Sequence, residues 1–153
     1  MQPQASIKTT LHELCVRYAD HCILNAQRAM EDAQQSANTE TKSSAGDKHE
    51  TGRALLQLEQ EKNVKQLAEA KELKEKLLKI EPKITSSIVS LGSVVFTSSG
   101  NFYISVAAGK LQIEEDSYFA ISPASPLAVK LLGSKPADLI ALNGRTYEIR
   151  YVL

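Results

Sequence analysis

The distribution of aromatic residues changes sharply part-way along this chain of 153 residues. Residues 1–83 contain one aromatic, Tyr18, whereas residues 84–153 contain seven. The first part also carries 13 basic and 13 acidic residues, against five of each in the second part. A charge-dense, aromatic-poor segment followed by an aromatic, glycine-punctuated one predicts an extended helical part joined to a small β-containing domain. Pro82 marks the boundary, because proline disfavours helix at the residue before it.

Apolar residues in the first part recur at steps of three and four, which is typical of one stripe along a long helix. The first stripe consists of Ile7, Leu11, Leu14, Tyr18, Cys22, Ala26, Ala29 and Ala33. The second stripe consists of Leu55, Leu58, Val64, Leu67, Ala70, Leu73, Leu77 and Ile80. Neither helix could bury its stripe alone, so we expect residues 1–81 to form an antiparallel coiled-coil hairpin whose tip lies at about residues 36–50.

The second part alternates short apolar runs with turn residues, which is typical of β-strands. The predicted strands are Ile88–Leu91, Ser93–Phe96, Phe102–Ala107, Leu111–Ile113 and Tyr118–Ile121. Ser125 can cap a short helix that has Pro126 at its first position and Gly133 just after its end. Asn143-Gly144 is a strong signal for a two-residue hairpin turn. The expected fold class is therefore α+β, with residues 84–153 forming a small antiparallel sheet that carries one short helix.

The overall charge excludes some functions. The chain has 18 basic and 18 acidic residues, so general electrostatic attraction to nucleic acid or to an anionic membrane is not its main activity. No segment approaches the ~20 apolar residues that a membrane-spanning helix needs, and the first residues lack the pattern of a signal peptide. We therefore expect a soluble, cytoplasmic protein.

Several residues of the second part occur in an order and at a spacing that match a known family. They are Ser125-Pro126, Leu131-Leu132-Gly133, Lys135 with Asp138, Asn143-Gly144 and Tyr147-Glu148-Ile149. Together with the preceding helical hairpin, this pattern resembles the Gre transcript-cleavage factors, which bind bacterial RNA polymerase. The resemblance implies an FKBP-like fold for residues 84–153 and a hairpin that enters the secondary channel of the polymerase.

The resemblance also implies a role for two acidic residues at the hairpin tip. Gre factors carry an aspartate and a glutamate there, three residues apart, and Asp47 and Glu50 match them in type and spacing. In the family these carboxylates help the polymerase to hold a catalytic Mg²⁺ and its attacking water, so that backtracked RNA is cut. Oxygen ligands are what Mg²⁺ prefers. The same two acids could instead stand at a helix start only because the helix dipole favours negative charge there.

Two further sets of contacts are expected. The turn formed by Ser122, Pro123, Ala124, Ser125 and Pro126 is the predicted surface for docking on the polymerase. Lys42, Lys48 and Arg53 flank the tip acids and are candidates for contact with RNA or with the channel, although each could be an ordinary solvated charge.

The leading hypothesis is an accessory elongation factor that stimulates the polymerase's own RNA cleavage and is not itself an enzyme. It implies no cofactor of its own, because magnesium is supplied at the polymerase active site. The implied partners are bacterial RNA polymerase and, indirectly, nascent RNA and template DNA, without a membrane or a small-molecule substrate.

Two alternatives remain open at this stage. The first is a Gre homologue that binds the channel and regulates or inhibits polymerase without cleavage, because residues such as Lys48 and His49 depart from the family's tip motif. The second is a cysteine-dependent acyl-transfer enzyme that uses Cys15 or Cys22 as nucleophile. We expect these cysteines instead to be small buried residues of the helical seam.

Overall fold

The computed structural model describes residues 4–43 and 47–153, with the side chains of residues 7–36 and 51–153. The fold class is α+β, as predicted: two long helices that pack together precede a six-stranded sheet with one short helix. The elements are α1 (Gln4–Ser43), α2 (Asp47–Leu78), β1 (Val94–Thr97), β2 (Gly100–Ile104), β3 (Gly109–Ile113), β4 (Asp116–Ile121), α3 (Pro126–Leu131), β5 (Leu139–Leu142) and β6 (Arg145–Val152).

The chain divides into two compact units. One unit is Ala19–Lys74, which contains most of both long helices. The other combines the first turns of α1, up to Tyr18, with Glu75–Leu153. The start of α1 therefore packs with the sheet, not only with α2.

The two long helices extend into the predicted tip and end close to the predicted boundary at Pro82. Helix α2 ends at Leu78, shortly before Pro82. Helix α1 ends at Ser43 and α2 begins at Asp47, so the connection falls inside the predicted tip at residues 36–50. Residues 44–46 themselves lie outside the described residues. None of the helices, over the residues that the structure describes, combines the length and apolar character needed to cross a membrane.

The sheet is mostly antiparallel, and one pair corrects the prediction of a fully antiparallel sheet. The strand order is β3-β4-β2-β1-β6-β5. Strand β4 pairs in parallel with β2, placing Phe119 beside Phe102, while the other four pairs are antiparallel. The reason is the connection: after β2 the chain forms the edge hairpin of β3 and β4, and β4 then returns between β3 and β2.

The predicted strand at Ile88–Leu91 is wrong. The backbone N–H of Val89 donates to the Ser134 carbonyl and the Gly133 N–H donates to the Val89 carbonyl, both at 2.8 Å, but no ladder continues from this pair. Val89 is 2% exposed and enters the core, whereas Ile88 and Leu91 of the same apolar run are each 53% exposed. The first strand consequently starts later, at Val94.

The core of the sheet domain lies under α3. Ala128 and Leu131 of α3 are fully buried against one face of the sheet. The buried residues of this cluster on the sheet side and in the segment before it are Val89, Val95, Phe102, Ile104, Tyr147, Ile149 and Val152. The short helix thus closes one face of the sheet, as predicted.

Local turn predictions in this domain are confirmed. The Ser125 side chain caps α3 by accepting a hydrogen bond from the Ala128 N–H at 3.3 Å. Gly133 follows the helix with a φ of +84°, a conformation that favours glycine. Asn143 and Gly144 have φ values of +52° and +77° and join β5 to β6 as a two-residue turn.

Candidate functional site

Side-chain contacts between α1 and α2 show the relative direction of the two helices. Asn63 donates a hydrogen bond from its side-chain amide to the Ala29 carbonyl at 3.3 Å. Lys74 forms an ion pair with Asp20 at 2.6 Å. These contacts link residues of α2 in reverse order to residues of α1, so the two helices run antiparallel, as predicted.

The buried seam of α2 differs from the predicted apolar stripe. Leu55, Leu58 and Val64 were expected in the seam, but they are 63%, 62% and 54% exposed. Asn63 is 2% exposed and takes their place, with Gln60 donating to Gln34 of α1 at 3.3 Å. The buried and half-buried positions of this part of α2 follow alternate steps of four and three through Leu56, Gln60, Asn63 and Leu67, and two of these four residues are polar.

The seam of α1 is also shifted. Tyr18 was expected in it but is 39% exposed, whereas the next residue, Ala19, is fully buried. In the helical unit Ala26 and Ala33 are buried as predicted. Small side chains in a seam allow two helix backbones to approach closely, so this pair is built on alanine more than on leucine.

The predicted acidic pair falls at the start of α2. Helix α2 begins at Asp47, so the backbone of Asp47 and Glu50 occupies its first turn. Their side chains, like those of Lys42 and Lys48, lie outside the described residues. Arg53 is described and is exposed on α2.

The predicted docking turn is a well-defined loop between β4 and α3. The Ser122 hydroxyl accepts a hydrogen bond from the Ala124 N–H at 3.1 Å, and the Ser122 carbonyl accepts one from the Ser125 N–H at 3.0 Å. Together with the cap on α3, these bonds fix the backbone of the whole turn. Ala124 and Pro126 are exposed, so the turn presents apolar groups on a rigid frame.

The exposed surface next to this turn is larger than the sequence analysis anticipated. Val129 of α3 is 60% exposed and Leu132, just after the helix, is 37% exposed. Because Ala128 and Leu131 face the core, the next residue along the helix in each case faces outward. Helical periodicity from the Ser125 cap could have identified them.

A buried polar contact joins the start of α1 to the sheet. His12 Nδ1 lies 3.0 Å from the Tyr103 hydroxyl, and Tyr103 is fully buried. Burial lowers the pKa of His12, although the carboxylates of Glu81 and Glu13 act in the opposite direction. Burial also raises the pKa of Tyr103. This contact is not predictable from the sequence, since nothing local links residues that are so far apart in the chain.

Cys15 is buried against the sheet domain, and its surroundings do not favour a nucleophile. Its Sγ lies 3.7 Å from the Ser105 Oγ, directly after β2. Burial raises the pKa of the Cys15 thiol to about 11, so the thiol is protonated at neutral pH. A nucleophilic cysteine needs the thiolate form and an adjacent base, whereas His12 bonds to Tyr103. Cys22 is half-buried, and both cysteines are free.

In the part of the chain that the structure describes, no three His, Cys, Asp or Glu side chains cluster in a way that could hold a metal ion. The predicted magnesium ligands Asp47 and Glu50 are outside this search, because their side chains are not described.

Comparison of the sequence with protein-family models finds no match, and neither does comparison with curated proteins.

Proposed function

We propose that this protein is a Gre-type transcription elongation factor that binds bacterial RNA polymerase, and that its sheet domain has an FKBP-like fold. The observation that carries the proposal is local: Ser125 caps α3, Gly133 follows it at positive φ, and Asn143-Gly144 form a hairpin turn. These are the residues on which the resemblance depends, and each has a conformation that favours its residue type. This agreement supports the alignment with the family over the turn, helix and hairpin.

The helical unit supports the second part of the proposal. Two antiparallel helices carry their connection between Ser43 and Asp47, so that Asp47 and Glu50 belong to the turn of α2 nearest that connection. In the proposed complex this end of the hairpin enters the secondary channel. Arg53, which is exposed about one turn further along α2, is available there for contact with phosphate.

The donor chemistry of the two acids fits magnesium. Carboxylate oxygens are preferred ligands of Mg²⁺, which keeps several water molecules and needs few protein ligands. When bound, the ion supplies an activated water and neutralises charge on the phosphodiester. Two carboxylates alone form a weak site, so Asp47 and Glu50 act only where the polymerase contributes its own ligands. The protein is then an accessory factor and not a nuclease by itself.

The docking part of the proposal is tested by binding to core RNA polymerase. Ala124→Arg places a long charged side chain on the exposed turn without removing any of its hydrogen bonds, since those use the backbone of Ala124. Glu115→Arg, on the exposed β3–β4 turn, is the matched control. We expect the wild type and the control to co-purify with the polymerase and Ala124→Arg to bind at least about tenfold more weakly.

The outcomes separate the docking surface from the function. If Ala124→Arg binds as well as the wild type, the turn is not the docking surface. If the wild type does not bind core polymerase, the proposed function is wrong.

A second candidate function is a channel-binding regulator that does not stimulate cleavage. The observation in its favour is the sequence around Asp47, where Lys48, His49 and Thr51 differ from the family's tip motif. Binding without any change in cleavage of backtracked RNA would select this candidate over the first.

A further inference from the structure

A cleft of about 140 Å³ lies beside the first turns of α1 in the unit that contains the sheet. Two of its lining side chains are buried, Lys8 at 3% exposure and Ser93 at 1%. Ser86, Ser90 and Lys79 line it from more exposed positions. Since liquid water occupies roughly 30 Å³ per molecule, the cleft has room for several waters or for one small ion.

The charge of Lys8 is not balanced by a carboxylate. Its ammonium group donates a hydrogen bond to the Ile84 carbonyl, which is neutral. Among the residues that the structure describes, no carboxylate forms a salt bridge with Lys8. A buried ammonium group is costly unless it is paired, and burial accordingly lowers the pKa of Lys8. Two of the three N–H groups of the ammonium remain available to a ligand.

The serine hydroxyls of the cleft accept backbone hydrogen bonds and so can act as donors to a ligand. The Ser93 hydroxyl accepts from the Ser90 N–H at 3.0 Å, and the Ser86 hydroxyl accepts from the Ile88 N–H at 3.1 Å. The Ser90 and Ser93 hydroxyls also lie 3.4 Å apart, so one of them donates to the other, and the remaining proton of this pair and the Ser86 proton are left for a ligand. An ammonium group and hydroxyl donors therefore line the same cleft.

One acidic residue, Glu81, also lines the cleft. Its carboxylate accepts a hydrogen bond from the Lys83 N–H at 3.0 Å and is exposed to solvent. Lys8, Lys79 and Glu81 are the charged residues that line the cleft, so its lining carries a formal charge of +1.

We propose that this cleft binds one small tetrahedral oxyanion of the phosphate or sulfate class through Lys8 and Ser93. The four oxygens of such an anion can accept several hydrogen bonds at once, and the ammonium group and the serine hydroxyls that line the cleft are suitable donors. The bound anion also supplies the charge partner that the protein does not give to Lys8.

The test is isothermal titration calorimetry of the full chain with sodium phosphate in a phosphate-free buffer. We expect saturable one-site binding by the wild type. Lys8→Met removes the charge while keeping most of the unbranched side chain, and we expect it to weaken binding by about tenfold or more. Ser93→Ala should weaken binding less. Lys130→Met, at an exposed lysine of α3, is the matched control and should bind as the wild type does.

Thermal unfolding without phosphate shows whether each variant is folded. Lys8→Met should melt at the same temperature as the wild type or higher, because it removes an unpaired buried charge. Absence of saturable binding by the wild type, or equal binding by the wild type and a folded Lys8→Met, overturns the proposal. If sodium acetate binds as tightly as phosphate, the assignment to a tetrahedral anion is wrong.

Discussion

Replacing Gly92 by alanine tests how the segment after α2 packs on the sheet domain. Gly92 has a φ of +88°, and an added Cβ would lie 2.9 Å from Cγ2 of Ile80, which is 8% exposed. Gly133 is the matched control, because its φ of +84° is similar but a Cβ there meets nothing within 4 Å. The two substitutions share the backbone penalty and differ in the steric one.

The expected losses follow from these two terms. Left-handed backbone at a non-glycine residue costs about 1–2 kcal/mol, and this is the whole effect expected for Gly133→Ala. Overpacking a buried contact adds about 1–3 kcal/mol, so Gly92→Ala should lose about 2–5 kcal/mol of unfolding free energy. For a chain of this size each kcal/mol lowers the melting temperature by about 2–4 °C.

Urea unfolding followed by near-ultraviolet circular dichroism of tyrosine measures these losses. Four of the five tyrosines lie in strands of the sheet, so the signal reports on the domain that contains Gly92. In a double-mutant cycle, Ile80→Ala should recover about 1–3 kcal/mol of the Gly92→Ala loss, since it removes the clashing methyl. Equal losses for Gly92→Ala and Gly133→Ala, with no coupling to Ile80, would refute the proposed contact.

Three further outcomes are expected. Ser125→Ala removes the N-cap of α3 and should cost about 1 kcal/mol in urea unfolding. Because burial lowers the pKa of His12, the unfolded chain takes up its proton more readily, so stability should fall as the pH decreases below about 6.5 and His12→Gln should reduce that fall. In thiol labelling at neutral pH, half-buried Cys22 should react before Cys15, whose pKa is raised to about 11 by burial.

Each of these three predictions has a result that would contradict it. Unchanged stability of Ser125→Ala would mean that the cap does not hold α3. An identical pH profile for His12→Gln and the wild type would contradict the burial of His12. Rapid labelling of Cys15 in a Cys22→Ser variant under native conditions would contradict its packing against Ser105 and reopen the cysteine-enzyme alternative.

Local chemistry made the turns of the sheet domain predictable. Asn143-Gly144 and the Ser125-Pro126 cap depend on the conformational preferences of the residues themselves, so a few letters of sequence suffice to identify them. The parallel pairing of Phe102 with Phe119 was not predictable in this way. This pairing depends on which strand edge remains open after the hairpin of β3 and β4 forms, and the local sequence does not indicate which edge that is.

The helical seam shows a different limit of prediction from sequence. The prediction for α2 followed its leucines, including Leu55 and Leu58, whereas the seam follows the regular steps that pass through Gln60 and Asn63. Leu55 and Leu58 stay outside the seam because a rotation of α2 that buried them would break the contacts of Gln60 and Asn63 with α1. The same regular spacing, extended back from Leu11, leads to Lys8, whose burial the apolar stripe did not indicate.

We propose that Asp47 and Glu50 assist the polymerase in cutting backtracked RNA, and a transcript-cleavage assay on stalled elongation complexes tests this role most directly. The wild type should accelerate magnesium-dependent cleavage, whereas Asp47→Asn and Glu50→Gln should reduce the stimulation by about tenfold or more while binding the polymerase normally. Glu69→Gln, at an exposed glutamate of α2, should stimulate as the wild type does. Undiminished stimulation by Asp47→Asn and Glu50→Gln would contradict the claim.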